Sequence, residues 1–191
     1  MVVIITFMLA KPVLFGNKIN LRPITAQDAN VMFDSLSDAE SMRLTGTQQT
    51  FTFEQVAAYC AGLETAVDRA DYAIIRKEDD LYVGEVVLNN IDWDNRSANF
   101  RIALANQKYF GQGYGSEATQ LILAFGFEAL NLHRIELEVY DFNPRAQHVY
   151  AKAGFVREGV RRDALLWDGE YHDAIVMSIL EDEYKKSTGD G

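Results

Sequence analysis

The spacing of apolar positions divides the chain into strand-like and helix-like stretches. Residues 21–24 predict a short strand, after which Thr25 and Asp28 offer caps for a helix with Ala29, Met32, Phe33 and Leu36 on one face. Residues 50–67 predict a second helix, and the polar stretch 37–49 between them, with Gly46 at its middle, predicts an irregular segment. Residues 72–76 and 81–88 are dense in apolar and β-branched side chains, and Lys77-Glu78-Asp79-Asp80 between them marks a hairpin. Residues 98–105 read as a further strand. Beyond a glycine-rich turn, Ala118, Leu121, Ile122, Phe125 and Ala129 recur at helical spacing, and Asn131 is a stop. Arg134–Tyr140 alternates polar and apolar without a break, as a strand with one buried face does. Asn143 as N-cap, Pro144 at the first helical position and Gly154 after the last bound a short helix. Residues 155–167 and 170–180 close the chain as two strands joined at Asp168-Gly169, a turn pair. The order β, α, α, β, β, β, α, β, α, β, β is a mixed α/β pattern centred on one sheet. It places a single domain at residues 19–184, an N-terminal extension at 1–18 and a loose tail at 185–191.

Two stretches carry candidate chemistry. Phe110-Gly111-Gln112-Gly113-Tyr114-Gly115-Ser116 joins a strand to an amphipathic helix. Three glycines in five positions let the backbone approach a ligand closely and take up positive φ, so that successive N–H groups converge on one anion. The N-terminus of the following helix adds its partial positive charge, and together they read as a pyrophosphate cradle. About thirty residues on, Asn143-Pro144-Arg145-Ala146-Gln147-His148-Val149-Tyr150-Ala151-Lys152-Ala153-Gly154-Phe155 is a short helix with a polar start, a tyrosine near its end and a Gly-Phe exit.

Together these two segments resemble the GNAT superfamily of acetyl-CoA-dependent N-acetyltransferases. The resemblance runs from about Ile19 to Leu180. It includes an opening Ile19-Asn20-Leu21-Arg22-Pro23-Ile24 and a closing Trp167-Asp168-Gly169-Glu170-Tyr171-His172-Asp173-Ala174 similar to the branch of ribosomal-protein N-terminal and polyamine acetyltransferases. It implies a GNAT fold, a central, mostly antiparallel twisted sheet with flanking helices and one splayed strand pair, here 98–105 and 134–140. Pantetheine would lie in that splay against the backbone of Ile102, Ala103 and Leu104, with the pyrophosphate on residues 110–116 and with Asn143 and Ala146 at the mouth. The family usually opens its pyrophosphate loop with Gln or Arg, and this chain has Phe110; a loop that binds through backbone N–H groups keeps its chemistry through that change. By the same resemblance Tyr150 protonates the departing thiolate, and Glu85, working through water, is the base, with Asp92 the second candidate. Homodimers are common in this branch.

The chemistry of acyl transfer bears on these roles. A phenol of pKa near 10 protonating a thiolate of pKa near 8.5 works uphill by roughly 2 kcal/mol, which a pre-positioned acid can carry. A primary aliphatic amine is neutral only about 0.04% of the time at pH 7, whereas an α-amine is neutral more than about 10% of the time. A polyamine acceptor therefore needs a base more than a peptide N-terminus does. Asp173 either shapes the acceptor site or ties the last strands together, Trp93 and Trp167 either wall the cleft or pack, and His133 and His148 lack metal-ligand spacing.

Composition narrows the partners. Eighteen basic against twenty-eight acidic residues give a formal charge of −10, which opposes nucleic-acid binding and suits a cationic small molecule as well as plain solubility. The one cysteine, Cys60, excludes an internal disulfide and fits a reducing, cytoplasmic compartment. The apolar start, Met1 to Ala10, lacks a basic flank and is too short to span a membrane. Met8 is a possible true start, and residues 1–7, if translated, would form an extra edge segment or stay mobile. The resulting expectation is an acetyl-CoA-dependent enzyme acting without metal on a primary amine. A polyamine is the preferred acceptor and a protein N-terminus the alternative; a non-catalytic acyl-CoA-binding module is the reading from another class.

Overall fold

The computed structural model describes residues 9–189, without the side chain of Thr188; the expectations for residues 1–7 and for Met8 as a start lie outside the described residues. Eight strands form one sheet: β1 (Leu14–Phe15), β2 (Ile19–Pro23), β3 (Ala70–Arg76), β4 (Leu81–Asp92), β5 (Ser97–Leu104), β6 (Arg134–Tyr140), β7 (Val156–Trp167) and β8 (Glu170–Leu180). Their order is β1-β2-β3-β4-β5-β6-β8-β7. Every neighbouring pair is antiparallel except β5 and β6. That pair is parallel because a helical crossover, α4 (Tyr114–Ala124), lies between them. The expected mixed, mostly antiparallel sheet is therefore present.

Both faces of the middle of the sheet are covered. Tyr72 and Ile74 of β3 face one core with Ala118, Ile122 and Leu123 of α4. Ala73 and Ile75, one residue out of step, face a second core with Met32 of α1 (Ala29–Ser35) and Val56 and Cys60 of α3 (Phe53–Gly62). A strand covered twice shows no polar alternation, which is why β3 reads as an apolar run.

Local chemistry sets the ends of the helices. Asp28 is buried and accepts hydrogen bonds from Arg22 at 2.6 and 2.8 Å and from the Thr25 N–H at 2.8 Å, pinning the turn that leads into α1. Thr52 and Gln55 form a capping box that starts α3 at Phe53, three residues later than the span 50–67 predicts, and the helix stops at Gly62. Pro144 opens α5 (Pro144–Lys152) behind the Asn143 cap, and Gly154 takes φ +101° after it, as the sequence indicates. Asp168 and Gly169 both have positive φ, 49° and 85°, matching a two-residue hairpin turn.

Three further expectations need correction. The stretch 37–49 is not wholly irregular, because Asp38 accepts from the Ser41 N–H at 2.9 Å and caps a short helix, α2 (Ala39–Leu44). The helix after the glycine turn is regular only to Ala124. A π-helical turn, Phe125–Ala129, follows, rotating the phase so that Phe125, Gly126 and Phe127 are buried while Ala129 is exposed. There Gly126 lies close under the sheet, where a Cβ would meet the Ile135 side chain at 2.7 Å. The tail is helical as far as Thr188: α6 (Glu181–Thr188) is held by Tyr184, whose ring stacks on Phe127 at 4.8 Å and whose hydroxyl donates to Glu128 at 2.6 Å. The described part of the 1–18 extension packs on the domain, with β1 paired to β2, Leu9 in the core and Lys11 donating to the Leu63 carbonyl.

Candidate active site

The sheet opens between β5 and β6. These strands are eight and seven residues long, yet they pair only at Ser97 with Arg134, Ala98 with Ile135 and Asn99 with Glu136. Beyond Asn99 they diverge, and a cleft of about 640 Å³ occupies the gap. Ala105 donates its N–H to the Val83 carbonyl at 2.9 Å, flanking the opposed pair Gly84 and Leu104. By the alternation of an antiparallel ladder, the N–H and C=O of Leu104 and Ile102 turn away from β4 and into the cleft. Ser41 Oγ donates to the Leu104 carbonyl at 2.8 Å, which leaves a short row of backbone groups exposed to an extended ligand. Ala103 has the opposite sense: its backbone turns to β4 opposite Glu85, so it meets the cleft as a side chain.

At one end of the cleft is the glycine turn. Gly111 and Gly113 have φ of +73° and +89°, which L side chains rarely adopt, and Gly113 is the N-terminal flank of α4. The first hydrogen bond of the helix runs from the Glu117 N–H to the Gly113 carbonyl. The N–H groups of Tyr114, Gly115 and Ser116 therefore precede the helical ladder, and all three residues line the cleft. This donor set fits an anionic diphosphate. Gln112 alone of the turn does not line the cleft, because its side chain folds back to the Lys108 carbonyl at 2.6 Å.

The long wall comes from α5. Asn143 Oδ1 accepts from the Ala146 N–H at 3.1 Å, so the asparagine is the helix cap and keeps its amide N–H₂ as a donor at the cleft mouth, beside Ala146. Tyr150 is buried but lines the cleft, its ring wedged edge-on against Phe100 at 5.6 Å and Phe155 at 5.9 Å. Burial raises its pKa well above that of a free phenol, which keeps the hydroxyl protonated.

The cleft also opens to the other face of the sheet, where Asn89, Asn99, Arg101, Glu136 and Glu138 line it. Glu85 is not part of the wall. It sits beneath Arg101, which donates to its Oε1 at 2.7 Å, while its Oε2 is buried with no protein partner among the described residues. Burial raises the Glu85 pKa and the Arg101 charge opposes that rise. Asp92, the second candidate base, closes the turn at the far end of β4 by accepting from the Asp94 and Asn95 N–H groups and the Asn95 side chain, which lowers its pKa. It does not line the cleft, and its carboxylate is taken up by that turn.

Several cleft residues escaped the reading of the sequence. α2 supplies Ser41 and Leu44, and Thr45 follows at its C-cap, hidden because the helix's six residues carry too little periodicity to register. The turn after α2 crosses toward β6: a Cβ on Gly46 would lie 2.4 Å from the Tyr140 ring, so only glycine fits. Gln48 donates on to the Leu166 carbonyl, tying this strap to the terminal hairpin. Elsewhere, Asp173 accepts from the Asp163 N–H at 2.9 Å and binds the last strands together. Trp93 donates to the Val67 carbonyl away from the cleft, and Trp167 does not line it either. Burial pushes the Cys60 thiol up to about 11, unsuited to a nucleophile. No metal-holding group of side chains and no helix long and apolar enough to cross a membrane occur among the described residues.

Comparison with known proteins agrees with this geometry. The chain is 28% identical to the spermidine N(1)-acetyltransferase of Escherichia coli K12 over 170 residues, 88% of this chain and 89% of that protein. It is 29% identical to an uncharacterized N-acetyltransferase, p20, of Bacillus licheniformis over 174 residues, 90% of this chain and 97% of that protein. Its fold matches the crystal structure of spermidine N-acetyltransferase from Vibrio cholerae in complex with CoA and spermine, with a TM-score of 0.81 at 26% identity, covering 88% of this chain and 99% of that one. A family model for the acetyltransferase (GNAT) domain matches residues 18–156, and with the splayed strands and the glycine turn it shows that this chain belongs to the GNAT family of N-acetyltransferases, which take acetyl-CoA as acetyl donor.

Proposed function

We propose that the enzyme acetylates a small polyamine-type amine, with Tyr150 as the acid and Glu85 as the base. The observation that carries this reading is the two-sided cleft. The cradle, the free β5 backbone and Tyr150 lie toward α4 and α5, while Glu136 and Glu138 line the opening on the opposite face. An acceptor entering from that face meets a donor laid along the slot.

Bound acetyl-CoA would supply a thioester carbonyl, and the protein does the rest. The inward N–H groups of Ile102 and Leu104 would face a thioester lying along β5 and stabilise the charge that develops on its carbonyl oxygen. Glu85, its Oε2 unpaired and its pKa raised, takes a proton from the entering ammonium by way of water, which yields the free amine. As the new C–N bond forms and the C–S bond breaks, the nitrogen gives up its second proton to solvent water, while Tyr150 gives its proton to the sulfur and recovers one from solvent. No covalent intermediate on the protein is required.

Two features favour a small cation over a peptide N-terminus. The protein's charge of −10 attracts polyamines, and the long relatives above include a spermidine acetyltransferase. Glu136 and Glu138 are partly neutralised by Arg134 and Arg161, which suits a modest rather than a dense positive charge. A buried, free Cys60 accords with a reducing cytoplasm. The test is CoA release with spermidine, spermine and short peptides as acceptors. Turnover with the polyamines supports the proposal, and turnover with peptides alone replaces it with N-terminal acetylation. CoA binding without any turnover would point to a non-catalytic module.

A further inference from the structure

Among the described residues, four buried side-chain oxygens have no hydrogen-bond partner: Asn20 Oδ1, the Tyr72 hydroxyl, Glu85 Oε2 and Asn89 Oδ1. Tyr72 packs edge-on against Phe125 in the core and Asn20 lies on β2, and neither lines the cleft. Glu85 is the proposed base. Asn89 alone of the four is part of the cleft wall. A carbonyl oxygen withdrawn from water without a donor is costly, so one kept in the wall of a cleft calls for a donor from what enters it.

Strand register gives the distance of that oxygen from the base. Asn89 follows Glu85 by four residues on β4, so both side chains leave the same face of the sheet, about 13 Å apart along the strand. Asn89 faces Asn99 of β5, and Asn99 in turn faces Glu136 of β6. These three form a row across the narrow end of the splay, where β5 and β6 last pair, and all of them line the cleft. The carboxylates on this face are already matched, Glu85 by Arg101, Glu136 by Arg134 and Glu138 by Arg161. Local charge therefore gives an incoming amine little hold, and a fixed carbonyl oxygen is left to read its far end. We infer that Asn89 Oδ1 accepts a hydrogen bond from a second nitrogen of the acceptor, so that the enzyme selects amines carrying an N–H group at a set distance from the one acetylated. Glu85 reaches the reacting nitrogen through water, which takes up about 3 Å and leaves on the order of 10 Å between the two nitrogens. An extended chain gains about 3.3–3.6 Å for every three bonds, so about nine bonds span that distance. Spermidine and octamethylenediamine have this length between their terminal nitrogens, and putrescine is too short.

This inference rests on the polyamine reading, and acceptor kinetics separate the two. Wild type, Asn89→Ala and Asn89→Asp are assayed by CoA release with octamethylenediamine, octylamine, spermidine and putrescine, with melting as the folding control. Octylamine has the carbon chain of the diamine without its second nitrogen, so the ratio of their kcat/KM values reads that nitrogen alone. The expected wild-type ratio favours the diamine by about tenfold to a hundredfold, with spermidine likewise ahead of putrescine. Asn89→Ala should bring the ratio close to unity, and Asn89→Asp, which keeps an acceptor oxygen and adds a charge, should raise it. Asn89→Asp matches the asparagine in size and carries the test where Asn89→Ala melts below wild type. The anchor is overturned if wild type treats the diamine and octylamine alike, or if the variants keep the wild-type ratio, whatever their overall rate. A wild type that acetylates none of these amines would instead remove the polyamine reading, and the anchor with it.

Discussion

Tyr150 and Glu85 show what single residues contribute and what a sequence discloses about them. Tyr150 was legible because it falls seven positions after the Asn143 cap, and that spacing survives in the fold. Its packing against Phe100 was not, since the two rings meet only after β5 and α5 come together. Tyr150→Phe should lower kcat about a hundredfold and leave acetyl-CoA affinity unchanged, as steady-state kinetics with parallel calorimetry would show. Equal losses in binding and turnover would mean a packing role only. Glu85 must be ionised to act, and burial raises its pKa, so activity should fall as pH drops through a value above the ordinary carboxylate range. Glu85→Gln should lower kcat/KM and abolish that acid limb; a variant with the limb intact would assign it to another group. The Arg101 contact that holds Glu85 in place joins residues sixteen apart on neighbouring strands, and only the register of β4 on β5 reveals it.

At the scale of elements, the strands from β2 onward and α5 followed from alternation and capping, whereas β1, α2 and the π-helical turn did not. α2 is too short for a periodic signal, and the π turn falls where Gly126 lies close to Ile135 of β6, a meeting that only the folded chain shows. The strap after α2 depends on Gly46, whose φ is +65° with Tyr140 beneath it. Gly46→Ala should destabilise the fold by about 1–3 kcal/mol in denaturant titration and raise KM for the amine more than for acetyl-CoA. Unchanged stability with an unchanged amine KM would show that the strap does not shape the acceptor side. Across β6, β8 and β7, Arg134 binds Glu158, and with the Ser178 hydroxyl it holds that carboxyl down to about 2. A carboxyl depressed in the folded state contributes stability above its unfolded pKa of about 4.3 and loses it as pH falls toward about 2. Glu158→Gln should therefore reduce the loss of melting temperature across that interval. Because the pair is partly exposed, the effect should also shrink in high salt, and identical acid profiles for the two proteins would contradict it.

For the whole molecule, the glycine turn and the cap-to-tyrosine spacing were enough to indicate the family, since both are local features that a sequence displays in full. The acceptor side was less legible because it is assembled from β4, β5, β6 and the strap, which share no stretch of sequence. The fold splays two parallel strands, and the gap between them is lined from both faces of the sheet, which on the proposed reading gives the donor one face and the acceptor the other. The measurement that tests this most directly is acetyl-CoA turnover with spermidine, followed by mass spectrometry of the amine and repeated with Tyr150→Phe. The account predicts acetylated spermidine formed in step with CoA release, and a strong loss of rate but not of acetyl-CoA binding in the variant. Acetyl-CoA binding by wild type with no acetylated polyamine formed would contradict it.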